Sequence, residues 1–72
     1  MSVTDAKEFG RALRERRRQL GYTQSFLSEF SGFSVSFISD TERGKKTAEL
    51  EKVLQLANLL GMDIDLRVRG DV

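Results

Sequence analysis

Residues 23–45 read TQSFLSEFSGFSVSFISDTERGK, and the way this stretch folds decides the architecture of the whole chain. Thr23 and Ser34 are residue types that cap helix N-termini, and Gly32 and Gly44 are residue types that stop helices. The spacing therefore predicts one short helix through Ser31 and another through Glu42. Two helices so short, joined by so tight a turn, are too close in sequence to lie antiparallel and must cross steeply. A crossing needs a small residue where the backbones touch. Ser28 fills that place, Gly32 permits the turn, and Leu27, Phe33 and Ile38 point into the core beneath it. Counted from Gln24, the small residue, the glycine and the β-branched apolar residue stand at places five, nine and fifteen.

That arrangement is the helix-turn-helix. On its N-terminal side, Asp5 and Glu8 form a D-x-x-E variant of the capping box, and a first helix is expected from there to Leu20, ended by Gly21. Phe9, Leu13 and Leu20, with Ala6 and Ala12, give it an apolar stripe. Gly10 inside it costs about 1 kcal/mol relative to alanine. On the C-terminal side, Thr47 is expected to cap a fourth helix, with Glu49 and Glu51 in its first turn where the helix dipole favours anions. Leu50, Val53, Leu54, Ala57 and Leu60 form its expected buried face, and Gly61 closes it. Beyond lies MDIDLRVRG, Met62 to Gly70, in which apolar Met62, Ile64, Leu66 and Val68 alternate with charged Asp63, Asp65, Arg67 and Arg69. This is the period-two pattern of a half-buried strand, and no other segment has it.

The fold class is thus all-α, a small bundle of four to five helices over residues 5–61, plus one C-terminal strand over 62–69. With no proline, repeat or linker, residues 1–72 form a single domain. A chain of 72 residues is only marginally stable alone, so help from a second subunit is expected. The strand supplies the means, because a solitary strand leaves a row of backbone hydrogen bonds unmet. Paired antiparallel with its own copy about a two-fold axis through Leu66, it sets Asp63 opposite Arg69, Asp65 opposite Arg67, and Ile64 opposite Val68. A parallel pairing in register would set like charges together. The rival arrangement is strand addition to a different protein, with dimerisation through the fourth helix alone.

Composition narrows the function. There is no histidine and no cysteine, so zinc-finger ligands, disulfides and the usual catalytic nucleophile and base pairs are absent. No metal, cofactor or enzymatic activity is expected. GKKT, Gly44 to Thr47, lacks the earlier glycine that a phosphate-binding loop requires. No apolar run approaches the ~20 residues of a membrane span, and the N-terminus lacks the pattern of a secretory signal, so a soluble cytoplasmic protein is expected. The 12 basic and 11 acidic side chains are unevenly spread, with 9 and 6 in residues 1–46 against 3 and 5 in residues 47–72.

LGYTQ, SGFSVSFIS, ERGK and TAELEKVLQLANLLG resemble the Xre/Cro/phage-repressor family, over Asp5 to Gly61. The resemblance implies that the helix from Ser34 enters the DNA major groove. A polar helix start with short side chains facing outward is also what a groove can accept. Val35, Ser36, Ser39 and Asp40 match the positions that face base edges in the family: Val35 can touch a thymine methyl, and the serines are undemanding hydrogen-bonding groups. Asp40 departs from the family, which often has a basic or amide side chain there. It either accepts from cytosine N4 or repels phosphate and orients a neighbour. Gln24 stands at an exposed helix N-terminus, where main-chain N–H groups can grip phosphate. Ser25 and Phe37 join it among the expected phosphate contacts, as do Arg43, Lys45 and Lys46 in a basic loop after the recognition helix. Arg17 borders the buried seam of the first helix. In the family the matching arginine pairs with the glutamate at Glu42, so an Arg17–Glu42 ion pair with no direct DNA role is expected. The other arginines from Arg11 to Arg18 read equally well as a solvated face.

Phe26 and Phe30 lie one turn apart where the family usually carries Glu and Lys. They make a surface for a protein partner, or else pack on Phe37 or on one another. SFISDTERGKKTAELEKVLQLANLLGMDIDL is more narrowly similar to HipB-type antitoxins. This implies an autorepressor that also binds and neutralises a HipA-type kinase toxin, while the two-fold axis of the strand-paired homodimer implies an inverted-repeat operator. The alternatives are a free-standing regulator without a toxin, and a protein-interaction module on the same scaffold that does not bind specific DNA.

Overall fold

A computed structural model describes residues 2–70. It contains α1 (Ala6–Gln19), α2 (Gln24–Ser31), α3 (Val35–Glu42) and α4 (Leu50–Leu59), four helices among the described residues, none long and apolar enough to cross a membrane.

The helix starts follow the capping chemistry. Asp5 accepts from the Glu8 N–H at 2.7 Å, Thr23 Oγ1 from the Phe26 N–H at 3.0 Å, and Ser34 Oγ from the Phe37 N–H at 3.0 Å. The capping box of α1 closes one residue early, since Glu8 Oε1 accepts from Thr4 N–H and Oγ1 at 2.7 and 2.9 Å. The α2–α3 turn needs a left-handed residue, and Gly32 supplies it at φ 82°. Ser28 is more than a small residue at the crossing, because its hydroxyl donates to the Phe33 carbonyl at 2.7 Å and ties the two helices across the turn.

Two expectations for α4 are corrected. Thr47 does not cap it: the Ala48 N–H bonds back to the Lys45 carbonyl at 3.4 Å. The resulting turn uses Thr47 ahead of the helix, and the N-cap is Glu49, without a side-chain cap bond. Leu50 is also not on the buried face, being 71% exposed, whereas Leu56 is fully buried. The helix starts at Leu50, and a side chain on the first turn leans toward the N-terminus, away from the bundle. The buried row is Val53, Leu56, Ala57 and Leu60, spaced i, i+3, i+4, i+7.

These residues meet Leu13, Leu27 and Ile38 in one core, against which Phe9, Leu20, Tyr22, Phe33, Phe37 and Met62 pack. α1 crosses the end of α3 so closely that Gly10 has a specific purpose. A Cβ there would collide with the Thr41 carbonyl oxygen and lie 2.6 Å from that of Glu42. The local helix penalty of Gly10 is therefore offset by the crossing it allows.

After α4 the Met62 N–H bonds to the Ala57 carbonyl at 3.0 Å, and Arg16 Nε donates to the Leu60 carbonyl at 2.8 Å, which ties the helix end to α1. The chain then leaves the core. Residues 63–70 are exposed, Leu66 by 96% and Val68 by 79%, and no strand forms within the chain among the described residues. The period-two segment therefore has no strand partner within the described residues.

Candidate nucleic-acid interface

α3 buries Ile38, Thr41 and Glu42 and turns the opposite side outward. Val35 and Ser36 are exposed there, with Ser39 and Asp40 half-buried one turn on. This convex face of short side chains lets the helix backbone approach a surface closely. Phe37 sits differently. Its ring packs on Phe33 at a centroid distance of 5.0 Å and its N–H is held by Ser34, so its main-chain donor is already engaged.

The base of this face is fixed by a buried network. Arg17 Nε and Nη2 donate to the two carboxylate oxygens of Glu42 at 2.7 and 3.0 Å, and the side chains are only 10% and 4% exposed. Bidentate geometry of this kind is among the strongest charge-assisted contacts. Arg17 Nη1 also donates to the Tyr22 carbonyl at 2.8 Å, tying α1 to the start of α2. Gln24 is part of this network, since its Nε2 donates to Glu42 Oε1 at 3.1 Å. Its amide is therefore turned inward rather than free in solvent, a role that depends on a partner 18 residues away and left no local signal. What α2 offers outward is its first turn of N–H groups at Gln24 and Ser25. They precede the first intrahelical bond, from Leu27 N–H to the Thr23 carbonyl.

At the other end of α3, Asp40 Oδ1 accepts from Arg43 Nη2 at 2.7 Å and Oδ2 lies 3.8 Å from Lys45 Nζ. Lys46 is exposed. The loop carrying these cations lies directly against α1, because a Cβ on Gly44 would stand 2.7 Å from Lys7 Cα. The outward serines are thus followed along the chain by exposed cationic side chains, and α2, held to the end of α3 through Gln24 and Glu42, keeps open N–H groups at its start.

Phe26 and Phe30 stack at 6.1 Å with planes 8° apart, and Phe26 also meets Tyr22 at 4.8 Å. They pack on one another and not on Phe37, yet remain 46% and 54% exposed. Tyr22 joins this cluster, and the i, i+4, i+8 spacing of Tyr22, Phe26 and Phe30 is the sequence signal for it.

A family model described as a helix-turn-helix domain matches residues 8–69. The chain is 36% identical over 64 residues to an uncharacterized HTH-type transcriptional regulator, y4mF, of Sinorhizobium fredii, spanning 89% of this chain and 84% of that protein. It is 31% identical over 61 residues to another, YazB of Bacillus subtilis, spanning 85% and 88%. Among solved structures it is similar in fold to that of a HipB–O4 20mer complex, with TM-score 0.85 and 22% identity over 96% of this chain and 97% of that one. A HipA–HipB–O2–O3 complex gives the same TM-score and identity.

Proposed function

This chain belongs to the helix-turn-helix domain family, and on that premise we propose that it is a sequence-specific DNA-binding repressor acting as a homodimer on an inverted-repeat operator. The observation that carries the proposal is the outward face of α3. Val35, Ser36 and Ser39 meet base edges in the major groove, while the α2 N-terminus at Gln24 and Ser25 and the loop cations Arg43, Lys45 and Lys46 hold the flanking phosphates. Arg17 and Glu42 keep the helices in register without touching DNA. No reaction is catalysed.

The dimer forms through residues 62–69, paired antiparallel about Leu66. Every cross-strand pair is then complementary, at roughly 0.2–1 kcal/mol each, and Met62, Ile64, Leu66 and Val68 close over the α4 leucines of both subunits. The exposure of Ile64, Leu66 and Val68 in the single chain supports this reading. The same axis sets two recognition helices about one DNA turn apart. The similarity to HipB, solved with DNA and with HipA, supports an autoregulating antitoxin with a HipA-type toxin partner. The exposed pair Phe26 and Phe30 is the surface we assign to a protein partner. It also favours a second reading, a protein-interaction module that reads no DNA.

The two readings separate on a duplex carrying the region upstream of the chain's own gene. By fluorescence anisotropy, wild type should prefer it to a shuffled duplex of equal composition. Ser36→Trp should abolish that preference, whereas Lys46→Ala should weaken both duplexes alike. Equal affinity of the wild type for both duplexes would contradict autorepression.

A further inference from the structure

We infer that Asp40 is a specificity-determining residue that couples base reading to phosphate neutralisation, exchanging its bond to Arg43 for a cytosine amino group. The inference rests on the DNA-binding reading above. Asp40 stands on the outward side of α3 beside Ser39, its side chain 35% exposed, and the 2.7 Å bond to Arg43 Nη2 joins it to a side chain that is 73% exposed. Lys45 Nζ faces the other carboxylate oxygen from 3.8 Å. An ion pair this exposed is weak and readily exchanged.

As the protein approaches a duplex, the carboxylate and the guanidinium have different best partners. The guanidinium gains by moving to a phosphate, but only if the carboxylate it leaves finds another donor in the groove. Guanine presents only acceptors there, thymine presents an acceptor and a methyl group, and the adenine amino group stands beside the N7 acceptor. Cytosine N4 is a donor with no acceptor beside it on the same base. At a cytosine the carboxylate moves to N4 and Arg43 goes to phosphate. At any other base the carboxylate keeps Arg43, and one phosphate contact is not made. A correct base is therefore rewarded twice, and Arg43 contributes little to binding random sequence.

The effect is legible in the salt dependence, where each phosphate contact adds about 0.9 to the slope of log affinity against log salt. One contact is thus worth a roughly 3.5-fold change between 50 and 200 mM salt. The experiment measures wild type, Asp40→Ala and Arg43→Ala on the best duplex recovered from a random pool and on a random duplex. Thermal midpoints should change little, because an ion pair with one partner 73% exposed contributes at most about 1 kcal/mol. Asp40→Ala should tighten random binding and steepen its slope by about 0.9 for each subunit of the dimer, about 1.8 in all, leave the slope on the recovered duplex unchanged, and remove the penalty for replacing one half-site cytosine. Arg43→Ala should show the converse, lowering the slope on the recovered duplex alone. A random-duplex slope indifferent to Asp40→Ala, or an Arg43→Ala effect equal on both duplexes, overturns the inference while leaving DNA binding intact. Failure of the wild type to bind any duplex overturns the underlying reading as well.

Discussion

A chain ending at Met62 is expected to sediment as a monomer at micromolar concentration and to bind an inverted-repeat duplex roughly 10²- to 10⁴-fold more weakly than the full chain. The loss arises because two weak half-site contacts would no longer be linked in one molecule. The cut should spare the bundle. Met62 is the last residue packed on the core, and the residues after it are exposed, so helical circular dichroism should persist. The strand pairing is what the truncation removes, together with the apolar face that Ile64, Leu66 and Val68 would lay over α4. A truncated chain that stays fully dimeric would place the dimer contact elsewhere, with α4 the first alternative.

Replacing Glu42 by alanine should produce the largest loss of stability from a single substitution in the network. Arg17 would keep its buried position and lose both carboxylate bonds, and Gln24 would lose its acceptor. Breaking one side of a buried ion pair costs about 3–5 kcal/mol. For a domain of this size that lowers the thermal midpoint by more than about 10 °C. The double variant Arg17→Met with Glu42→Leu is expected to recover most of the loss, because the cost comes from the stranded charge rather than from the absence of the pair itself. Equilibrium denaturation of the three proteins checks both points. A midpoint unmoved by Glu42→Ala would mean that solvent, not Glu42, satisfies Arg17.

Where a boundary depends on adjacent residues, the sequence announces it. Thr23 with Gly32 and Ser34 with Glu42 bound α2 and α3 at the residues expected, because a cap oxygen and a left-handed glycine act on their immediate neighbours. α4 shows the limit of that reasoning. Thr47 is an equally good cap by type, but the short turn from Lys45 to Ala48 uses it first, and Leu50 is apolar at the right period yet falls on a turn that overhangs the bundle. Long-range facts were less legible. Gly10 reads as a defect until the carbonyls of Thr41 and Glu42 are placed against it, and Gln24 reads as a free polar side chain until Glu42 is seen to hold its amide. The candidate interface divides in the same way. Val35, Ser36, Ser39 and Asp40 share an outward face because helical spacing alone puts them there. The bond from Asp40 to Arg43, and the capture of the Phe37 N–H by Ser34, required the packed loop and cap.

If the outward face of α3 reads bases in a symmetric pair, selection of bound duplexes from a pool of random sequence will reveal it. The full chain should enrich an inverted repeat whose half-sites lie about 10 base pairs apart, centre to centre. Recovery of no shared motif, or of a single half-site without its inverted mate, would contradict it.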